Sequence, residues 1–347
     1  MEKKLSVILT GRNDNYGGDF NARLYNTLHW LHYWLTRYNI PSEIVLVNYN
    51  PLPHRPAIYE MVEFPKMNDR VCIRVIDVPP EEHEKILHAD VRKPVPLIEF
   101  VAKNIGIRRA RGSFVLATNA DVLFDPGIFA CIAHTPLQHN AFYRAARVDF
   151  RSESPLVFHD NPNLLLEKIR KSVFRFFLQG GTYDDNSRLP FVIKLRYLQM
   201  YNWLRGLFFK AVFPLRGILR HLGIPHTNEL FTFRWFCNAG GDFMLMSKEA
   251  WMAGRGYPED TWISTHTDSL HLVMTAVSGL RQVTFPYVVY HQEHDRRFDF
   301  GAYNADMELM YSRLVSEGNE MVQFRKSLNN NPENWGLGDV TLNEITI

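Results

Sequence analysis

Between Leu5 and Asp121 short apolar runs alternate with segments of helical periodicity, and this alternation restricts the chain to a sheet covered by helices. Leu5 to Thr10 reads as a buried strand, and Asp19 to Tyr38 as an aromatic helix with Asp19 as its N-cap and Pro41 beyond its end. Glu43 to Val47 and Val71 to Val78 read as strands, Pro96 to Arg111 as a helix stopped at Gly112, and Ser113 to Ala117 as another strand. The polar segment Thr118 to Asp121 then falls where open α/β sheets place their ligands. Asp121 is therefore a candidate ligand for a divalent metal.

Beyond Asp121 the alternation fades. From about 151 to 230 Phe, Tyr, Leu and Arg recur at helical spacing, which predicts a largely helical insertion. A compact pattern resumes at Cys237 to Trp251, turns at Gly254 to Pro258, and continues as a helix from Asp268 to Ser278 closed by Gly279. A last strand, Gln282 to Tyr290, leads into a segment holding His291 and His294. The expected division is 1–150 and 231–300 as two halves of one α/β domain, 151–230 as the insertion, and 301–347 as a C-terminal helix and tail.

The 347 residues carry a net charge of only +2, and no DNA- or RNA-binding module is recognisable, so a nucleic-acid partner is not expected. Cys72, Cys131 and Cys237 are odd in number and lack CxxC spacing, which argues against a disulfide framework or a thiolate zinc site and for reduced thiols in the cytoplasm. No apolar run reaches the roughly 20 residues of a membrane span, and Met1 to Thr10 lacks the long apolar stretch of a signal peptide. The charge is unevenly spread: Leu164 to Ile224 holds eleven Lys and Arg against three Asp and Glu. Cations mixed with large apolar residues over 164–224 suit peripheral contact with an anionic membrane, on its inner face; a buried helical subdomain with a solvated basic face is the alternative.

The loop Thr10 to Gly18 is neither a GxGxxG nor a P-loop, so neither dinucleotide binding nor that form of phosphate binding is expected. Thr10, Gly11, Arg12, Asn13 and Asp14 can hydrogen-bond a base or ribose, or serve as a polar turn. Asn48 and Asn50, after the second strand, offer the same two readings. Asn104, Arg108, Arg109 and Arg111 lie on the helix before the Asp121 strand, where a guanidinium can reach a diphosphate.

Leu5-Ser-Val-Ile-Leu-Thr10, Glu43-Ile-Val-Leu-Val-Asn48, Asn104 to Asp121, and Asn238-Ala-Gly-Gly-Asp-Phe-Met-Leu-Met-Ser-Lys-Glu-Ala-Trp251 followed by Arg255 to Glu259 and His266-Thr-Asp268 occur in a telling order. Together they resemble the GT-A-fold glycosyltransferases similar to family 2, over about Leu5 to Val122 and Phe236 to His294. The resemblance implies a Rossmann-like, mostly parallel central sheet and a sugar transfer from a nucleotide-sugar donor to a hydroxyl of a glycan or lipid-linked acceptor, with inversion, in cell-surface polysaccharide assembly. It places Asn119-Ala-Asp121 at the family's D-x-D motif, so that Asp121 and Asn119, joined by the late His291 and His294, would hold Mn2+ or Mg2+. Asn119 departs from that motif by one charge. Asp268, at a helix start, matches the family's catalytic base, with Glu259 as its competitor. Asp242, Trp251 and Tyr257 would face the acceptor. A sugar-1-phosphate nucleotidyltransferase, lacking here its glycine-rich loop, and a non-catalytic scaffold on the same fold are the rival readings.

Overall fold

The computed structural model describes residues 3–87, 95–151, 157–158, 161–185, 187, 189–212, 235–259, 266–294 and 331–347. Residues 213–230 of the expected insertion and 301–330 of the expected C-terminal helix and tail lie outside them. Six early elements follow the sequence pattern, β1 (Leu5–Gly11), α1 (Phe20–Arg37), β2 (Ser42–Tyr49), β3 (Val71–Val78), α4 (Glu99–Arg109) and β4 (Phe114–Ala117), and two short helices not expected from it, α2 (Ile58–Met61) and α3 (Pro80–Ile86), flank β3. Asp121 leads into a short β5 (Val122–Phe124), then α5 (Pro126–His134) and the long β6 (Ala141–Phe150). The insertion contains α6 (Pro162–Lys171), the hairpin β7 (Val173–Leu178) and β8 (Gly181–Asp184), and α7 (Phe191–Val212). The chain then supplies β9 (Met244–Ser247), α8 (Lys248–Gly254), α9 (Thr267–Val277), β10 (Arg281–Gln292) and β11 (Asn343–Thr346).

The eleven strands among the described residues join one sheet, in the order β11-β3-β2-β1-β4-β9-β6-β10-β5, with β7 paired to β6 and β8 to β7. Strands β3, β2, β1 and β4 are parallel, as the helix between each successive pair requires. The second half is mixed instead: β9 runs antiparallel to β4 and β6, β10 is parallel to β6 but antiparallel to β5, and β11 closes the other edge antiparallel to β3. The expectation of a mostly parallel sheet thus holds for its first half only. The described part of the insertion is largely helical, as expected, in α6 and α7, with the β7–β8 hairpin extending the sheet.

Alternate residues of the central strands feed two apolar cores. Val7, Leu9, Ile44 and Leu46 pack under α1 and α5, whereas Ile8, Val45 and Val47 pack under α4, α8 and α9. Burial on both faces explains why these strands read as unbroken apolar runs. Gly112 lets the chain pass between α4 and β4: a Cβ there would lie 2.6 Å from the backbone of Leu5 and Ser6.

One buried charge cluster interrupts the apolar strands. Glu43 accepts from Ser6 Oγ at 2.6 Å, from the Arg111 amide at 2.6 Å and from Arg74 at 2.7 Å, and Arg74 also reaches Glu344 of β11 at 2.6 Å. Arg74→Met leaves Glu43 buried without its cation, so urea unfolding is expected to show a loss of about 3–5 kcal/mol.

Candidate metal and substrate site

Strand pairing assembles the site. Antiparallel pairing of β5 with β10 sets His291 opposite Val122, next to Asp121, and parallel pairing of β10 with β6 sets His291 opposite Asp149. The Gln292 amide donates to the Asp121 carbonyl at 2.9 Å. Gln292 is locked to α1 by the Asn26 side chain at 3.0 Å and the Arg23 carbonyl at 3.1 Å, which fixes the chain carrying the two histidines.

His294 Nε2 lies 3.2 Å and His291 Nε2 3.6 Å from Asp121 Oδ2. One ligand atom from each of these residues lies within 4.8 Å of the other two. The other carboxylate oxygen, Oδ1, is buried without a hydrogen-bond partner. A buried carboxylate oxygen left unsatisfied is costly unless something cationic meets it. A carboxylate with two imidazoles suits Mn2+ better than Mg2+, which prefers oxygen and water. The residues therefore fit a divalent metal.

The charges of this cluster reinforce one another. Burial alone pushes the Asp121 carboxyl up, but the charges and hydrogen bonds of His291 and His294 outweigh it and hold the group well below the usual range. Burial and Arg147 push His291 down, yet Asp121 and Asp149 prevail and hold it at about 9. His291 Nδ1 is 3.4 Å from Asp149 and 3.5 Å from both Glu293 and the Arg147 guanidinium. Asp149, Glu293 and His291 form a second group of donor type. There Arg147, 2.6 Å from Asp149, already supplies the positive charge. That side orients the imidazole and leaves Nε2 facing Asp121.

Asp242 lies in a short 3-10 turn, Gly240–Asp242, and is buried. One of its oxygens accepts from Arg147 at 2.9 Å, the other from the Asn119 amide at 2.8 Å. Both are engaged within the protein, which makes Asp242 a link between Arg147 and Asn119. The same geometry explains Asn119. It turns its amide nitrogen to Asp242, and an aspartate in its place would set two carboxylates against each other. Asn119→Asp is accordingly expected to lower stability by about 2 kcal/mol above neutral pH, with recovery in acid as the pair takes up a proton; urea unfolding at both pH values measures it.

Asp268, in the first turn of α9, accepts from the Gly241 amide at 2.6 Å and from the Ser269 amide at 2.8 Å. It is thus tied to the turn that carries Asp242 and, through it, to Asn119. Arg144 fixes this loop by donating to the carbonyls of Asn238, Ala239, Gly240 and Phe243. Lys103 of α4 donates to the Gly241 carbonyl at 2.9 Å.

At the ends of β1, β2 and β3 the register aligns Gly11, Asn48 and Asp77. The Asn48 amide donates to Asp77 at 2.8 Å while its own oxygen is buried without a partner. Thr10 lies buried at the end of β1. Arg12 pairs with Asp14 at 3.0 Å and donates to the Asn50 carbonyl. Asn13 is buried and clasps the 52–56 loop through the carbonyls of Leu52 and Pro56. Nearer the metal group, Tyr16 meets His294 edge-on at 5.2 Å, and a Cβ on Gly17, where φ is +70°, would lie 3.0 Å from that ring.

Other expected site residues lie elsewhere. Asn104 is buried and binds the Tyr257 backbone and Glu259, so it braces the 256–259 turn and does not reach a ligand. Glu259 accepts from Asn104 and the Gly336 amide, which ties it to the C-terminal tail. Arg108 donates to the carbonyls of Glu333 and Trp335, and Arg109 to those of Gly336, Leu337 and Val340; the tail occupies the guanidiniums expected at a diphosphate. Trp251 donates to the Val115 carbonyl and stacks on His271, and Tyr257 packs on Phe100; both are core residues without a face toward an acceptor.

His271 itself is buried, and burial pushes it down to about 3 from 6.5. The unfolded chain gains a proton as pH falls below 6.5 while the folded one does not. Stability is therefore full above that pH and falls at about 1.4 kcal/mol per unit toward pH 3. His271→Phe, which keeps a ring against Trp251, is expected to flatten this slope in urea titrations between pH 7 and 5.

Asp77, Asp149 and Arg147 were not among the residues expected from sequence. The signal lay in their charges inside otherwise apolar strands, Val71–Val78 and Ala141–Phe150.

No protein-family model matches this sequence, and no curated protein sequence matches it. Among solved structures, the chain is similar to the crystal structure of S. aureus TarS 1-349, with 12% identity over 92% of this chain and 68% of that one, at a TM-score of 0.44. It is also similar to the crystal structure of GalNAc-T7 with UDP, GalNAc and Mn2+, with 11% identity over 97% of this chain, at a TM-score of 0.46; it spans 56% of that chain.

Proposed function

We propose that this chain is a metal-assisted glycosyltransferase of GT-A type, moving a sugar from a nucleotide-sugar donor to a hydroxyl of a glycan or lipid-linked acceptor. The observation that carries this reading is the Asp121 carboxylate, whose Oδ2 faces His291 and His294 while its Oδ1 is buried without a hydrogen-bond partner. The order of motifs from Leu5 to His294 supports it. A bound Mn2+ would supply positive charge to a donor diphosphate and to the leaving group.

In this reading Asp121, His291 and His294 hold the ion, and Asp149 with Arg147 keeps the His291 imidazole in place. Asn48, Arg12 and Asp14, at the strand ends, offer polar atoms to the base and ribose. Asp268 accepts the proton of the attacking hydroxyl, with transfer by inversion. Asn119 and Asp242 set the spacing between the metal side and the Asp268 side. A role in cell-surface polysaccharide assembly belongs to the same proposal. No helix among the described residues is long and apolar enough to cross a membrane.

The test is a thermal-shift panel of UDP-, GDP- and TDP-sugars with and without Mn2+, because a ligand of the folded state raises its melting temperature. At least one donor should stabilise wild type only with Mn2+ present, and not Asp121→Ala. The absence of any metal-dependent shift across the panel would sink the reading.

A further inference from the structure

Helix α7 presents two apolar faces where a surface helix normally has one. Leu195, Leu198 and Asn202 are buried; Tyr183 of β8 donates to Asn202 at 2.7 Å, and Phe191 packs on Phe176 of β7. The opposite face carries Ile193, Tyr197, Met200, Trp203, Leu204 and Leu207, each about half exposed, with Trp203 at 62%. A contiguous apolar stripe of this kind on a protein surface marks a contact.

The charge around the stripe identifies the partner. Helix α7 itself carries Lys and Arg but no Asp or Glu; of its cations, Lys194 is buried against Asp185 and Arg205 donates to the Tyr183 hydroxyl. Arg196 is exposed on the stripe itself. The Arg170 guanidinium lies over the Phe191 ring at 5.7 Å, bringing the last turn of α6, with its exposed Lys168 and Lys171, to the start of α7. A second copy meeting this face about a two-fold axis would set cation against cation. Apolar and aromatic side chains bordered by Lys and Arg instead match a bilayer surface, with rings at the headgroup level and cations on anionic lipid. We propose that the outer face of α7 docks the protein on an anionic lipid surface.

The proposal stands apart from the sugar-transfer reading, since docking is measured without nucleotide or metal. The full chain is sedimented with vesicles of phosphatidylcholine alone and of phosphatidylcholine mixed with phosphatidylglycerol. Binding to the anionic vesicles is expected to be at least about tenfold tighter and to weaken as salt is raised. Trp203→Glu and Leu207→Glu, both at exposed positions, should each lower that affinity about tenfold or more with an unchanged melting temperature. Conversion of Trp203 to Phe keeps an apolar ring and should retain most of it. Equal or absent binding to both vesicle types overturns the proposal. So does a wild-type dimer in light scattering that Trp203→Glu turns into a monomer while vesicle binding stays unaffected.

Discussion

Asp121→Ala is expected to fold and to lose more than roughly a hundredfold in Mn2+ affinity, since even the neighbours of metal ligands are worth ten- to a hundredfold. The geometry makes this the largest single effect. Asp121 is the carboxylate that both histidines face, at 3.2 and 3.6 Å. Its loss also removes the main anion that holds His291 at about 9. In the metal-free wild type a proton must leave His291 before Nε2 can take a metal, so affinity should rise by roughly tenfold per pH unit from 7 toward 9. The same raised value affects stability. The charged imidazole stabilises the metal-free fold fully below pH 6.5, and that contribution fades as pH rises toward 9. Asp121→Ala should blunt both trends, as metal titrations and urea unfolding across pH 6.5–9 will report.

Asp268→Asn is expected to leave Mn2+ and donor binding near wild type and to lower turnover by about 10²- to 10⁴-fold, the usual contribution of a general base. The amide keeps an acceptor for the Gly241 N–H, now 2.6 Å from Asp268 Oδ2, so the 240–242 turn can hold its place. What it cannot do is take a proton from an attacking hydroxyl. A fall in turnover with unchanged donor affinity supports the role given to Asp268. An equal fall in donor affinity would assign it to the scaffold of the turn, and unchanged turnover would remove it from the chemistry.

The first half of the fold was legible because β1, β2 and β4 are built on short apolar runs, β3 is apolar but for Arg74 and Asp77, and the two long helices α1 and α4 have a helical pattern; the short α2 and α3 carried no such signal. Local pattern suffices there, since parallel neighbours separated by helices need little further information. The second half was not, because β9, β6 and β10 pair across an insertion, and no local signal states which edge a returning strand joins. The grouping proposed to hold the metal was partly legible: Asp121, His291 and His294 were named and stand together, yet Asp149 was missed, since its approach to His291 depends on the register of β6 against β10. Arg108 and Arg109 were misread for a related reason. A guanidinium on a helix beside a ligand edge suits a phosphate, but here backbone carbonyls of residues 333–340, more than 200 positions further on, take it first. Trp251 and Tyr257 were expected at the acceptor from the family resemblance, and only packing shows them as core. Asn119 looked like a weakened motif. Beside Asp242 it is the residue that lets a second carboxylate stand close by.

The most direct measurement is a Mn2+ titration followed by electron paramagnetic resonance on wild type, Asp121→Ala and His294→Ala, with and without the donor found by thermal shift. Wild type should bind one Mn2+ with a spectrum that changes when the donor is added, and both variants should lose that signal while keeping their folded circular dichroism. Equal Mn2+ binding by wild type and Asp121→Ala would contradict a metal centre at this site and, with it, the proposed sugar transfer.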